Sequence, residues 1–265
     1  MLKKRLIAIL ILRNGQVVQS VRFKHTNVIH YDPQHAIEAF NKWAVDEIGI
    51  INVTREADSR DGFAEAVARI SRHCFVPLTV GGWITDEEYA SSLLRSGADK
   101  LIVNTALASD PQLVTALSLR FGRQCIVASI DVRRTECGRS TVHVDRGRQD
   151  TGEDPEAWAS RACELGAGEI LLNSIDFDGA RQGYDLETLR RVCCSVDVPL
   201  VAFGGVFTWQ HLVDGIAAGA DAVAAANIFH YSEHATRKAK AFMAGAGVLV
   251  RREGRDLTQT ALRQN

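Results

Sequence analysis

Two glycine pairs mark places where this chain could do chemistry. Gly81-Gly82 follows Pro77-Leu78-Thr79-Val80, and Gly204-Gly205 follows Leu200-Val201-Ala202-Phe203. Each falls where a strand would end and a helix begin. Glycine there lets backbone N–H groups approach an anion, and the helix that follows adds a favourable dipole. Asn104-Thr105 and Ala226-Asn227 follow the next strand in each case and could cap the same anions. The pattern predicts two phosphate sites on opposite sides of one mouth, suited to an elongated ligand with a phosphate at each end. Trp83 complicates the first site, because an indole would narrow the loop where Val206 follows the second pair. In Asp176-Phe177-Asp178-Gly179 the carboxylates could bind a ligand's hydroxyls or supply a proton; the plainer reading is a turn, since Asp-Gly is a common turn dipeptide. Asn173 and Ser174 would line the same mouth, and His230 reads as a loop hydrogen-bonder rather than a base.

These residues need a frame that brings distant loops together. Short β-branched runs begin at Arg5, Glu47, Pro77, Lys100, Cys125, Glu169, Leu200 and Ala222. Amphipathic stretches lie between them, near 33–44, 61–73, 86–96, 110–120, 155–165, 185–194, 208–218 and 232–243. Strict alternation predicts a parallel sheet, either closed as a barrel or doubly wound and open. An internal repeat decides between them: Val76-Pro77-Leu78, Gly97-Ala98-Asp99 and Asn104 return as Val198-Pro199-Leu200, Gly219-Ala220-Asp221 and Asn227. Pro77 and Pro199, Asp99 and Asp221, and Glu47 and Glu169 are each 122 positions apart. An offset of nearly half the chain means two similar halves, neither able to close alone. The predicted fold is therefore α/β, a single (β/α)8 TIM barrel of two half-barrels over residues 1–254, with a polar tail at 255–265 that is open to disorder.

Thirty-one basic and thirty-two acidic residues leave a net charge of −1, which argues against a nucleic-acid or anionic-membrane partner. The apolar run Leu6 to Leu12 is too short to span a bilayer and lacks a cleavage site, so a soluble, cytoplasmic protein is expected. The six cysteines form no CxxC, and Cys193-Cys194 reads as a pair of plain buried thiols. The eight histidines show no metal-ligand spacing, and neither a metal nor a cofactor is expected.

Longer motifs carry a family resemblance. Met1-Leu2-Lys3-Lys4-Arg5-Leu6-Ile7, Val80-Gly81-Gly82, Gly166-Ala167-Gly168-Glu169-Ile170-Leu171-Leu172, Ser174-Ile175-Asp176-Phe177-Asp178-Gly179 and Phe229-His230 resemble HisF, the cyclase subunit of imidazole glycerol phosphate synthase. The resemblance spans roughly residues 1–252. It implies a HisH-type glutaminase partner, whose ammonia crosses the barrel to attack a two-phosphate ribonucleotide at the far mouth. It also implies two aspartates as general acid and base, because protons must be given and taken on opposite sides of the substrate. Asp131 matches one of them. Ile11 stands in place of the other and can neither donate nor accept a proton. Gln19 replaces an expected basic residue, Asn52 an aspartate and Phe203 a serine. At the opposite end the family's ammonia gate is complete: Arg5, Glu47, Lys100 and Glu169 all match, and Asp99 matches a position at the partner interface.

An intact conduit with a broken acid–base pair is similar to HisF-like paralogues associated with surface polysaccharides, thought to pass ammonia to a separate sugar amidotransferase. Three readings follow. The favoured one is an ammonia-transferring subunit with reduced or lost cyclase chemistry. The second is a working histidine-pathway cyclase relying on Asp131 and Asp178, and the third a non-enzymatic scaffold.

Overall fold

Burial on both faces makes the first strand a barrel stave. In the computed structural model, which describes residues 2–55 and 59–251, β1 (Arg5–Arg13) sends Leu6, Ala8, Leu10 and Leu12 into the layer shared with the helices. Ile7, Ile9 and Ile11 join a second buried cluster inside the barrel. Parallel strands covered on both sides read as continuous apolar runs, which is why Leu6 to Leu12 has no polar interruption. A hairpin follows, β2 (Gln16–Val21) with β3 (His25–His30), and then β4 (Glu47–Asn52), β5 (Leu78–Gly81), β6 (Lys100–Val103) and β7 (Ile126–Arg134). A second hairpin, β8 (Ser140–Val144) with β9 (Gln149–Asp150), precedes β10 (Glu169–Ser174), β11 (Leu200–Phe203) and β12 (Ala222–Ala225). The parallel order β1-β4-β5-β6-β7-β10-β11-β12 closes because β1 pairs with β12 and β7 with β10. This is a (β/α)8 TIM barrel.

The helices between the staves are α1 (Pro33–Lys42), α2 (Ser59–Ser71), α3 (Glu87–Arg95), α4 (Ala106–Ser109), α5 (Pro111–Phe121), α6 (Pro155–Glu164), α7 (Leu186–Cys193), α8 (Trp209–Ala217) and α9 (Ala235–Gly245). Their starts are written in the sequence. Asp32, Asp86, Asp110 and Asp185 accept hydrogen bonds from the first-turn amides of α1, α3, α5 and α7, satisfying donors the helix cannot pair itself. Proline opens α1, α5 and α6, where its missing N–H costs nothing.

Aspartates also fasten the floor of the barrel. Asp46 Oδ2 accepts from Leu6 N at 2.8 Å, Asp99 Oδ2 from Leu78 N at 2.8 Å and Asp221 Oδ2 from Leu200 N at 3.2 Å. The last two are repeat mates, so the sequence repeat is also a repeated clip between neighbouring staves. The tail foreseen at 255–265 lies outside the described residues. No helix among the described residues is long and apolar enough to cross a membrane.

The two hairpins go beyond the eight-and-eight alternation; each follows the first stave of its half, β1 or β7, and pairs antiparallel with it. The first has a local signal: Asn14 and Gly15, at φ 51° and 75°, form the two-residue turn joining Arg13 to Gln16.

Candidate functional site

At the floor, where the staves begin, four side chains close a ring of alternating charge. Arg5 Nη1 donates to Glu47 Oε2 at 2.9 Å, and its Nη2 to Glu169 Oε1. Lys100 Nζ reaches Glu47 at 3.1 and 3.2 Å and Glu169 Oε2 at 2.8 Å. Thr79 Oγ1 adds a 2.6 Å bond to Glu47 Oε1. Both glutamates are buried while the two cations keep partial access to solvent. Burial works against the charge of Arg5, but Glu169 and Glu47 outweigh it and hold its pKa above the usual value. Asp99, beside Lys100, is exposed on the same face.

Above the ring the lumen is apolar. Ile7, Ile9, Ile102, Val127, Leu171, Val201, Ala222 and Ala224 make up one buried cluster, which runs up to Ile11 and Phe203 near the mouth.

At the mouth, Asp131 ends the inward row of β7. Asn173 Nδ2 donates to its Oδ1 at 3.1 Å, and Asn104 Nδ2 to its Oδ2 at 3.1 Å. Burial pushes the carboxyl up to about 7; the Asn173 bond pulls the other way, Asp178 raises it further, and the Asn104 bond lowers it. A carboxyl that is half protonated near neutrality suits general acid–base work. Its folded pKa lies above its unfolded value of 3.8, so the native state binds the extra proton. The linked stability is fully present below about pH 4 and is lost as pH rises through about 7. Against Asp131→Asn, the wild type should therefore lose about 2–3 kcal/mol of relative stability between about pH 5 and about pH 8. Urea unfolding of both proteins at about pH 5 and about pH 8 checks this, and parallel pH profiles would refute it.

The neighbouring loop of β10 divides its carboxylates. Asp178 is buried, accepting from Ser20 Oγ at 2.6 Å and Phe23 N at 3.3 Å, and so anchors the β2–β3 hairpin across the mouth. Burial raises its pKa, against the pull of those bonds. Asp176 instead accepts from Arg134 N at the rim. The two are not a carboxylate pair; alternate residues of this turn serve different neighbours. Gly179, at φ 68°, lets that turn pass Ser20, whose carbonyl oxygen would lie 2.9 Å from an added Cβ.

A cavity of about 470 Å³ opens beside Asp178, lined by Gly179, Gly204, Gly205, Ala226 and Asn227 among others. Gln19, Arg181, Phe203 and Tyr231 also reach it. Of the expected phosphate residues, only the second set lines this space. Gly81, Gly82, Asn104 and Thr105 lie on other staves.

Comparison with known proteins agrees with this architecture. The sequence pattern of the family described as "Histidine biosynthesis protein" matches residues 5–235. The subunit HisF of imidazole glycerol phosphate synthase from Streptomyces avermitilis is 42% identical over 247 residues, covering 93% of this chain and 98% of that relative. The same subunit from Streptomyces coelicolor gives the same figures. The chain belongs to the HisF family.

Its departures from the HisF pattern are built into the structure. Ile11 is 6% exposed within the lumen cluster, paired in register with Ile51. Gln19 Oε1 accepts from Tyr231 Oη at 3.2 Å on the cavity wall. Phe203 is buried at the top of the lumen. Asn52 Oδ1 accepts from Thr54 N at 3.0 Å, shaping the loop rather than facing a ligand. His230 Nδ1 lies 3.2 Å from His30 Nε2, and burial lowers its pKa to about 4, with His30 adding to the shift, which leaves it a neutral hydrogen-bonding group.

Sequence reasoning missed His143. It stands directly opposite Asp131 in the antiparallel β7–β8 register, and opposed residues share a face of the sheet. The ring is 5% exposed, and its Nδ1 has no hydrogen-bond partner among the described residues. Only the hairpin, itself unforeseen, brings the two together.

Proposed function

We propose that this chain is the ammonia-receiving subunit beside a HisH-type glutaminase, with cyclase chemistry reduced or lost. The observation that carries the reading is the contrast between its two ends: a complete ring of Arg5, Glu47, Lys100 and Glu169 at the floor, and Ile11 across the mouth from Asp131. An apolar lumen favours neutral ammonia, since an ammonium ion there would lose its hydration without a partner. Losing one acid–base group costs about 10²–10⁴-fold in rate, which a two-sided ring closure does not tolerate well. The ammonia would then serve another acceptor, and amidation of a sugar precursor by a separate amidotransferase fits the resemblance to the polysaccharide-associated paralogues. The cavity at Gly204-Gly205 supports a phosphorylated small molecule as ligand of the mouth.

A second reading, an active cyclase forming imidazole glycerol phosphate and aminoimidazole carboxamide ribotide, draws support from Asp131, whose pKa near 7 suits proton transfer. One experiment separates the two. The protein is mixed with a HisH-type glutaminase and glutamine, and glutamate release and ring formation are followed together. Glutamate release stimulated at least about tenfold without ring product is the expected result, a modest coupling of about 1.4 kcal/mol. Ring product at ordinary enzyme rates would favour the cyclase. No stimulation would leave only a scaffold.

A further inference from the structure

The two glycine loops are repeat mates in sequence but not equivalents in structure. At the second, Gly204 and Gly205, at φ 95° and 88°, turn the chain past an open cavity. Arg181 stands on its wall with its guanidinium 4.8 Å from the Phe207 ring, and no ion pair neutralises it among the described residues. Asn227, also on the wall, has a buried Oδ1 with no hydrogen-bond partner among those residues. A phosphate entering here would meet the backbone of the glycine turn and an unpaired cation, while Asn227 Oδ1, an acceptor, suits a hydroxyl of the ligand rather than a phosphate oxygen.

At the first loop the corresponding groups are already occupied. Trp83 follows Gly82 with φ 58°, a conformation that favours glycine, and its Nε1 donates to Thr54 O at 2.8 Å. The Arg146 guanidinium, from the β8–β9 turn, lies 5.5 Å from the indole centroid. Its charge is met by Asp145, Nη2 to Oδ1 at 3.2 Å. Thr105 Oγ1 accepts from Asp145 N at 3.1 Å and donates to Asn104 Oδ1 at 3.3 Å. Asn104 Nδ2 is shared between Ser129 O, at 2.9 Å, and Asp131. Trp83 and Arg146 thus bridge the β4–α2 loop and the β8–β9 turn, and the donors beneath them serve the protein itself.

We infer that the mouth takes a ligand bearing a single phosphate, seated on the Gly204-Gly205 and Ala226-Asn227 loops, and that Trp83 with Arg146 closes the seat a second phosphate would need. This rests on the reading of the mouth as a binding site for a phosphorylated small molecule and names its class. A bisphosphorylated ligand would have to displace the indole and break the Thr105–Asp145 bond.

The test uses the full chain and three probes in titration calorimetry: inorganic phosphate, fructose 6-phosphate and fructose 1,6-bisphosphate. The wild type should bind one equivalent of inorganic phosphate and hold the two sugars with equal affinity. Arg181→Ala should weaken all three about tenfold, the loss of one charge-assisted contact. Trp83→Gly suits the local backbone and should fold, which its melting curve verifies. It should bind a second phosphate and prefer the bisphosphate by about tenfold. Two equivalents on the wild type, no binding of any probe, or a folded Trp83→Gly that still takes one phosphate would each overturn the proposal. Glutaminase stimulation measured on the same preparations reports on the floor alone, so failure at the mouth remains distinguishable from failure of the conduit.

Discussion

Replacing Glu47 by alanine should lower the melting temperature by about 5–10 °C and abolish coupling to a glutaminase partner. Glu47 is 4% exposed and takes three donors: Arg5, Lys100 and Thr79. Its removal leaves two cations sharing Glu169. Breaking a buried pair typically costs about 3–5 kcal/mol, discounted here to about 2–3 because Arg5 and Lys100 keep some contact with water. For a chain of this size each kcal/mol is worth about 2–4 °C. Glu47→Gln keeps the shape and a bond to Thr79 and should lose less. Differential scanning calorimetry reads the first effect, and glutamine-driven turnover beside the partner reads the second. A shift below about 1 °C with coupling intact would mean that the four charges are an ordinary solvated rim.

The second large effect is a gain. Ile11→Asp with Gln19→Lys puts a carboxylate opposite Asp131 and a cation on the wall of the cavity. If one missing proton-transfer group were the whole deficit, ring formation from the two-phosphate ribonucleotide should rise about 10²-fold or more. The closed first loop predicts otherwise: the double variant alone should gain little, and the rise should come once Trp83→Gly is added. Ring product from free ammonium ion is the measurement, made on the double and triple variants together. A full gain in the double variant would show that two phosphates bind despite Trp83. Failure of the folded triple variant would place the deficit elsewhere in the mouth.

The sequence made the barrel legible because its signals are local and repeated. The staves are short apolar runs, five of the described helices begin at a capping aspartate or proline, and the 122-residue offset counts the staves by halves. The four floor charges were legible too, since each begins a strand and so faces a predictable end of the barrel. The mouth was not. The roles of Asn173 and Asn104 in holding Asp131 depend on neighbours dozens of residues away. His143 faces Asp131 only through a hairpin that the eight-and-eight alternation does not show. At the glycine loops the repeat predicts two phosphate seats, with Trp83 narrowing the first. What separates them is the Trp83 indole and Arg146, which comes from the β8–β9 hairpin.

The floor ring has one property that a chain of ion pairs lacks: it has no end. Each of its four members grips two neighbours, so parting any one contact leaves both released groups still tethered on their other side. The aperture can therefore widen at one corner without stranding a bare charge, and the work of doing so is that of a latch rather than of a seal torn open. Movement at one corner then asks for brief excursions of long side chains while the staves stay pinned by Asp46, Asp99 and Asp221.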